Sequence, residues 1–140
     1  MEVYFPKNKK TGLPLKTAVK YPYYINLPKK EYFYLAGIWT PWTDKNTGEY
    51  VKSFSNVNTK ANRLMGQVHN AKKRMPIILN EDLAYQWIFG KLDEKRIKEI
   101  AATQYPAEEM KDVSISKDFI TALDHQKPFE YAHLPALEVA

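Results

Sequence analysis

Between Asn58 and Leu79 the apolar pattern changes period, and that change limits what the chain can build. Ala61, Leu64, Met65 and Val68 recur at i, i+3, i+4 and i+7, the spacing that lines one face of a helix. Thr59 stands just ahead, where its hydroxyl is expected to cap the first turn. His69 falls at the helix end, beside unpaired carbonyls that favour an imidazolium. Pro76 holds Met75 in extended geometry, so Ile77 to Leu79 leaves as a strand. A short helix is thus expected to deliver His69 and Arg74 to one rim. Imidazole is the side chain best placed to move protons near neutral pH, which makes His69 a candidate acid–base group. The competing reading is a helix-end histidine that only satisfies carbonyls.

The 140 residues are enough for one domain with a real core, and 44% hydrophobic content argues for a folded chain. No stretch approaches 18 consecutive apolar residues, and the N-terminus has no apolar signal region. No membrane partner and a cytoplasmic location are therefore expected. The chain has no cysteine, which excludes disulfides, thiolate metal sites and thiol nucleophiles made from these residues. Its formal charge of +5 is unevenly spread. Residues 1–30 carry seven lysines against Glu2, a net of +6, and residues 60–74 carry Lys60, Arg63, Lys72, Lys73 and Arg74 with no acid, a net of +5. The remainder holds −6. Nucleic-acid binders use such asymmetry to hold phosphates; a solvated lysine-rich surface is the plainer account.

Read in order, Val3 to Phe5 can form a strand, followed by an exposed Lys- and Pro-containing loop. Tyr21 to Leu27 is rich in strand formers, and Pro28 to Glu31 gives a turn. Tyr32 to Trp39 is nearly all apolar, as in a strand buried on both faces, with Gly37 marking a close approach or a bulge. Asn46-Thr47-Gly48 is a turn, and Tyr50 to Asn58 is a third strand. Hairpin-length links favour antiparallel pairing among the three. Asn80 caps a helix from Glu81 to Phe89 that stops at Gly90, and Asp93 caps another with Ile97, Ile100 and Ala101 as its buried stripe. Val113 to Ser116 alternates like a short strand, Lys117 to Leu123 is a helical turn or loop, and the tail from Phe129 to Leu137 is apolar enough to dock. One α+β domain over residues 1–140 is the expected architecture.

His69, His125 and His133 are not spaced as metal ligands and lie in no carboxylate cluster, so no metal and no cofactor is expected. Serine-hydrolase elbows, P-loops and dinucleotide glycine motifs are absent from the sequence. His133, in the apolar tail, reads as a packed or surface residue. Trp39 and Trp42 read first as core residues, with base stacking as the functional alternative.

The succession Tyr21-Pro22-Tyr23-Tyr24-Ile25, Leu35-Ala36-Gly37-Ile38-Trp39 with Trp42, Asn58-Thr59-Lys60-Ala61-Asn62, His69-Asn70, Arg74-Met75-Pro76-Ile77-Ile78-Leu79 and Trp87 resembles the SRAP family. These are the SOS-response-associated peptidases, or abasic-site processing proteins. The likeness covers roughly residues 1–137 and only the C-terminal portion of the family domain. It implies a mainly antiparallel SRAP-like β-barrel or sheet, incomplete here, with flanking helices. In the family an N-terminal cysteine attacks the ring-opened aldehyde of an abasic site in single-stranded DNA and forms a thiazolidine cross-link. By resemblance His69 is the proton donor and acceptor on the deoxyribose, Glu2 assists proton transfer, and Arg74 contacts phosphate; Lys72 and Lys73, as neighbouring cations, are expected to help hold the anionic DNA. Asn58 stands where the family has the first threonine of its T-T-x-A-N helix start, and Thr59 matches the second; both are expected at the DNA. The family's peptidase, hydrolase and lyase labels presuppose the cysteine. The expected partner is single-stranded DNA with an abasic site, at the nucleoid, with self-association or a separate N-terminal half completing the sheet. The alternatives are a non-catalytic single-strand-binding module and an inactive remnant.

Overall fold

The computed structural model describes residues 7, 11–14, 19–132, 134 and 136–138, and the backbone of residues 2–4. Along these the elements are β1 (Glu2–Tyr4), β2 (Val19–Tyr21), β3 (Tyr23–Asn26), β4 (Tyr34–Leu35), β5 (Gly37–Thr43), β6 (Tyr50–Asn56), β7 (Asn58–Lys60), α1 (Arg63–Val68), β8 (Arg74–Pro76), β9 (Ile78–Leu79), α2 (Glu81–Phe89), α3 (Glu94–Ala101), a 3-10 turn (Ala107–Glu109) and β10 (Lys111–Ser114). The class is α+β with mainly antiparallel strands: β1 with β2, β3 with β10, β4 with β9 and β5 with β6 are antiparallel ladders, and β7 pairs with β8. The chain divides into two compact units, unit 1 (residues 1–31, 61–74 and 106–140) and unit 2 (residues 32–60 and 75–105).

Unit 2 is organised by three strand switches. A single residue separates β4 from β5 (Ala36), β6 from β7 (Val57) and β8 from β9 (Ile77). Each of the three long segments changes partner at that residue. The three residues close a ring of main-chain hydrogen bonds: Ala36 N–H donates to the Ile77 carbonyl (3.0 Å), Ile77 N–H to Val57 (3.0 Å), and Val57 N–H to Ala36 (2.9 Å). The backbone groups of buried Ala36 and Ile77 and of half-buried Val57 are thereby paired where no regular ladder could pair them. Ala36, Ile77, Leu79, Ala84 and Ile100 form the core cluster, with Leu83, Trp87 and Leu92 packed against it. The Trp87 indole N–H donates to the Gly37 carbonyl at 2.9 Å.

Both predicted caps of unit 2 are in place. Asn80 Oδ1 accepts from Leu83 N–H (2.9 Å) and Asp93 Oδ1 from Arg96 N–H (2.7 Å). Gly90 ends α2 because a Cβ there would lie 2.4 Å from the Gln86 carbonyl oxygen. On α3 Ile100 is buried and Ala101 half-buried, but Ile97 is 41% exposed, so the buried stripe is narrower than predicted.

The Tyr32–Trp39 segment departs from expectation. It is two short strands that exchange partners at Ala36, and within it Ala36 alone is buried. Ile38 (60% exposed), Trp39 (68%) and Trp42 (52%) are not core residues: β5 has β6 as its strand neighbour among the described residues, and Ile38 and Trp39 only line an open cavity with Trp87, Gly90, Leu92 and Ile97. The break also falls at Ala36, one residue before Gly37, whose added Cβ would make only ordinary contacts. At the β5–β6 turn Asp44 Oδ1 accepts from Asn46 N–H (2.7 Å) and Thr47 N–H (2.8 Å), and Gly48 takes φ +73°.

Unit 1 pairs β3 with β10, 85 residues away, and not with the strands next in sequence as expected. Pro22 interrupts the predicted Tyr21–Leu27 strand, and its carbonyl accepts from Ile115 N–H at 3.1 Å. The last strand is Lys111–Ser114, displaced from the predicted Val113–Ser116. The tail docks as expected: Phe129 N–H donates to the Ser114 carbonyl (2.8 Å), Tyr131 Oη–H to Ile115 (2.9 Å), and the Tyr131 ring meets Tyr21 edge-on at 4.8 Å. His133 lies outside the described residues.

Two outcomes test this account. Ile100→Ala empties a fully buried site and is expected to cost about 2–5 kcal/mol in urea unfolding, against less than about 1 kcal/mol for Ile97→Ala. The hydrogen bonds from Thr47 and Asn46 hold the Asp44 carboxyl below its ordinary value of 3.8. Because the folded-state value is depressed, the turn's stabilisation is present above the ordinary value and lost as pH falls through the folded one. Protection of the Asn46 and Thr47 amides, measured against their intrinsic exchange rates at each pH, is therefore expected to fall below about pH 4, and Asp44→Ala to abolish that fall.

Candidate functional site

The helix that carries His69 begins later than predicted. Asn62, not Thr59, is the N-cap: its Oδ1 accepts from Met65 N–H at 2.9 Å, and its Nδ2 donates to the Met110 sulfur at 3.2 Å. Thr59 lies in β7, and Lys60 after it is still strand, so no helical turn follows Thr59 for its hydroxyl to cap. Both residues suit a cap chemically, and Asn62 wins because it stands three residues before Met65, where the first free N–H groups point. Leu64 and Val68 are buried as the period predicted, while Ala61 precedes the helix.

His69 closes α1 as its C-cap, its N–H donating to the Met65 carbonyl. The ring is half-buried, and Nδ1 meets the Arg74 carbonyl oxygen at 3.0 Å. A carbonyl only accepts, so Nδ1 carries the proton and Nε2 is the nitrogen left to take or give one. The loop between them is tight. Lys73 N–H donates to the His69 carbonyl (2.8 Å), Ala61 N–H donates to the Lys73 carbonyl (3.0 Å), and Lys73 takes φ +47°. A lysine in this left-handed region costs roughly 1–2 kcal/mol and is held there by its surroundings.

Lys72, Lys73 and Arg74 are exposed and have no carboxylate partner among the described residues. Three cations thus stand within five residues of the imidazole. Arg63 differs, since its guanidinium pairs with Glu138 at 2.9 Å. Gln67 holds the same tail residue by its backbone: Nε2 donates to the Glu138 carbonyl (2.7 Å) and Oε1 accepts from Glu138 N–H (3.0 Å). The apparently acid-free basic stretch therefore acquires an acid from the tail, a pairing across 75 residues that no local pattern announces.

Within unit 1, β1 runs beside α1 and pairs Glu2 with Tyr21. The side chain of Glu2 lies outside the described residues. Asn58, exposed, and Thr59, half-buried, belong to unit 2 on β7. His125 bonds locally, Nδ1 to the Phe119 carbonyl. Among the described residues no group of three histidine, cysteine or acidic side chains converges as metal ligands, and no helix is long and apolar enough to cross a membrane.

The family model for SOS response associated peptidases (SRAP) matches residues 10–121. A crystal structure of a protein from Bacteroides thetaiotaomicron superposes with a TM-score of 0.69 at 29% sequence identity, covering 90% of this chain and 51% of that one. The chain thus spans about half the length of that protein. No functionally curated protein matches it.

The corrected cap gives a direct check. Asn62→Ala is expected to cost about 1–2 kcal/mol in equilibrium unfolding, whereas Thr59→Ala costs no more than about 0.5 kcal/mol.

Proposed function

The chain belongs to the SRAP family, and on that premise we propose that it works at abasic sites in single-stranded DNA, as the histidine-bearing C-terminal portion of an SRAP domain. Membership ties the chain to the SOS response to DNA damage. The observation that carries the finer reading is the Nδ1 contact of His69 with the Arg74 carbonyl, which leaves Nε2 to exchange a proton with the deoxyribose. Lys72, Lys73 and Arg74, unpaired with acids among the described residues, suit the flanking phosphates. Asn58 and Thr59 add hydrogen bonds to phosphate, and Glu2 assists proton transfer, in the roles their family positions imply.

The family nucleophile is not among these 140 residues, which contain no cysteine. In this reading it comes from the other part of the domain, and the strands found here are one section of the family's barrel-like sheet. The coverage of about half the length of the structural relative supports that view. The same lack of cysteine favours a second reading, a module that grips single-stranded DNA without bond chemistry.

Borohydride trapping on an abasic-site oligonucleotide separates the two. If chemistry survives, an amine of this chain (Met1 or a lysine) condenses with the sugar aldehyde, releasing water, and borohydride reduces the imine to a stable adduct. His69→Ala is then expected to slow adduct formation roughly 100-fold. Salt-dependent binding without adduct supports the module, with Lys72→Ala, Lys73→Ala and Arg74→Ala each flattening the logarithmic salt slope by about 0.7. Absence of any salt-dependent single-strand binding refutes both.

A further inference from the structure

We propose that the β5–β6 hairpin is a docking surface whose occupant is the polypeptide forming the other half of an SRAP domain. The ladder pairs Gly37–Thr43 with Tyr50–Asn56 over seven residue pairs. Because alternate residues face opposite sides, Trp39 and Phe54 share one face while Ile38, Trp42 and Val51 share the other. Both faces are wet: Trp39 is 68% and Phe54 79% exposed on the first, Ile38 60% and Trp42 52% on the second. A two-stranded hairpin is marginal in water, and an apolar patch of this kind marks a surface that is normally covered.

Charge narrows the choice of occupant. Residues 37–56 contain Asp44, Lys45, Glu49 and Lys52, a net of zero, so nothing here attracts a phosphate chain. Lys52, beside Trp39 and Phe54, is the one charge on the ladder itself; the aromatic pair and the apolar Ile38, Trp42 and Val51 suit a protein face instead. The edges narrow it further. Pro41 has no N–H to give at the middle of β5, whereas β6 carries no proline and presents an uninterrupted edge. The occupant is expected to add a strand to β6 and lay apolar side chains on Trp39 and Phe54. Its size follows from the comparison: the structural relative matches 90% of this chain yet is only 51% covered, so it holds about as much polypeptide again.

The test needs no DNA, so its failure is separable from that of the abasic-site reading. Hydrogen exchange is measured on the chain alone, mixed with the part of the Bacteroides thetaiotaomicron protein that it does not cover, and fused to that part through a flexible linker. Residues 37–56 are expected to exchange fast in the chain alone and at least about tenfold more slowly in the mixture or the fusion. Tryptophan emission should shift to the blue in parallel. Phe54→Lys should abolish both changes while α3 keeps its protection, which shows that the variant still folds. The proposal is overturned if the hairpin is as protected as α3 in the chain alone. It is also overturned if added protection falls elsewhere in both the mixture and the fusion, or if light scattering shows a dimer of this chain that Phe54→Lys dissociates, since a second copy would then be the occupant.

Discussion

The three-residue ring of main-chain hydrogen bonds at Ala36, Val57 and Ile77 is the constraint on which unit 2 rests. A strand that leaves one partner for another must pass through a residue whose N–H and C=O belong to neither ladder. Burying one such residue alone would strand two polar groups; bringing three together, two buried and one half-buried, lets each satisfy the next. The arrangement needs little from side chains except fit, and Ala36 is small because three backbones converge on it. From this junction β5 and β6 run out as a hairpin, and β7 follows β6 in the chain.

What could be read from the sequence was whatever depends on neighbours a few residues away. Asn80 and Asp93 cap helices because the groups they satisfy lie three residues on, and Gly90 stops one because its own carbonyl neighbour excludes a Cβ. His69 at a helix end was legible for the same reason. The choice between Thr59 and Asn62 was not, since it turns on where β7 stops, and β7 is held by a strand 14 or more residues away. An apolar run such as Tyr32 to Trp39 looks the same whether it is covered or bare; only the fold says whether a layer lies over it. The β3–β10 pairing and the Arg63–Glu138 ion pair join distant segments and leave no local trace.

The candidate site divides its duties between covalent order and tertiary support. Sequence proximity alone brings Lys72, Lys73 and Arg74 near the imidazole. The tautomer, by contrast, is set by the carbonyl of Arg74, so one residue both orients the ring through its backbone and offers a cation through its side chain. The left-handed Lys73 is what returns that carbonyl to the ring within five residues. Substitutions at Arg74 would thus separate the two duties, removing charge while the orienting carbonyl persists.

Gln67 grips the tail by the amide N–H and carbonyl of residue 138, groups that every amino acid except proline supplies. The clasp is therefore blind to side-chain identity. Evolutionary drift at that position can erase the Arg63 ion pair and leave the path of the C-terminal segment over α1 unchanged.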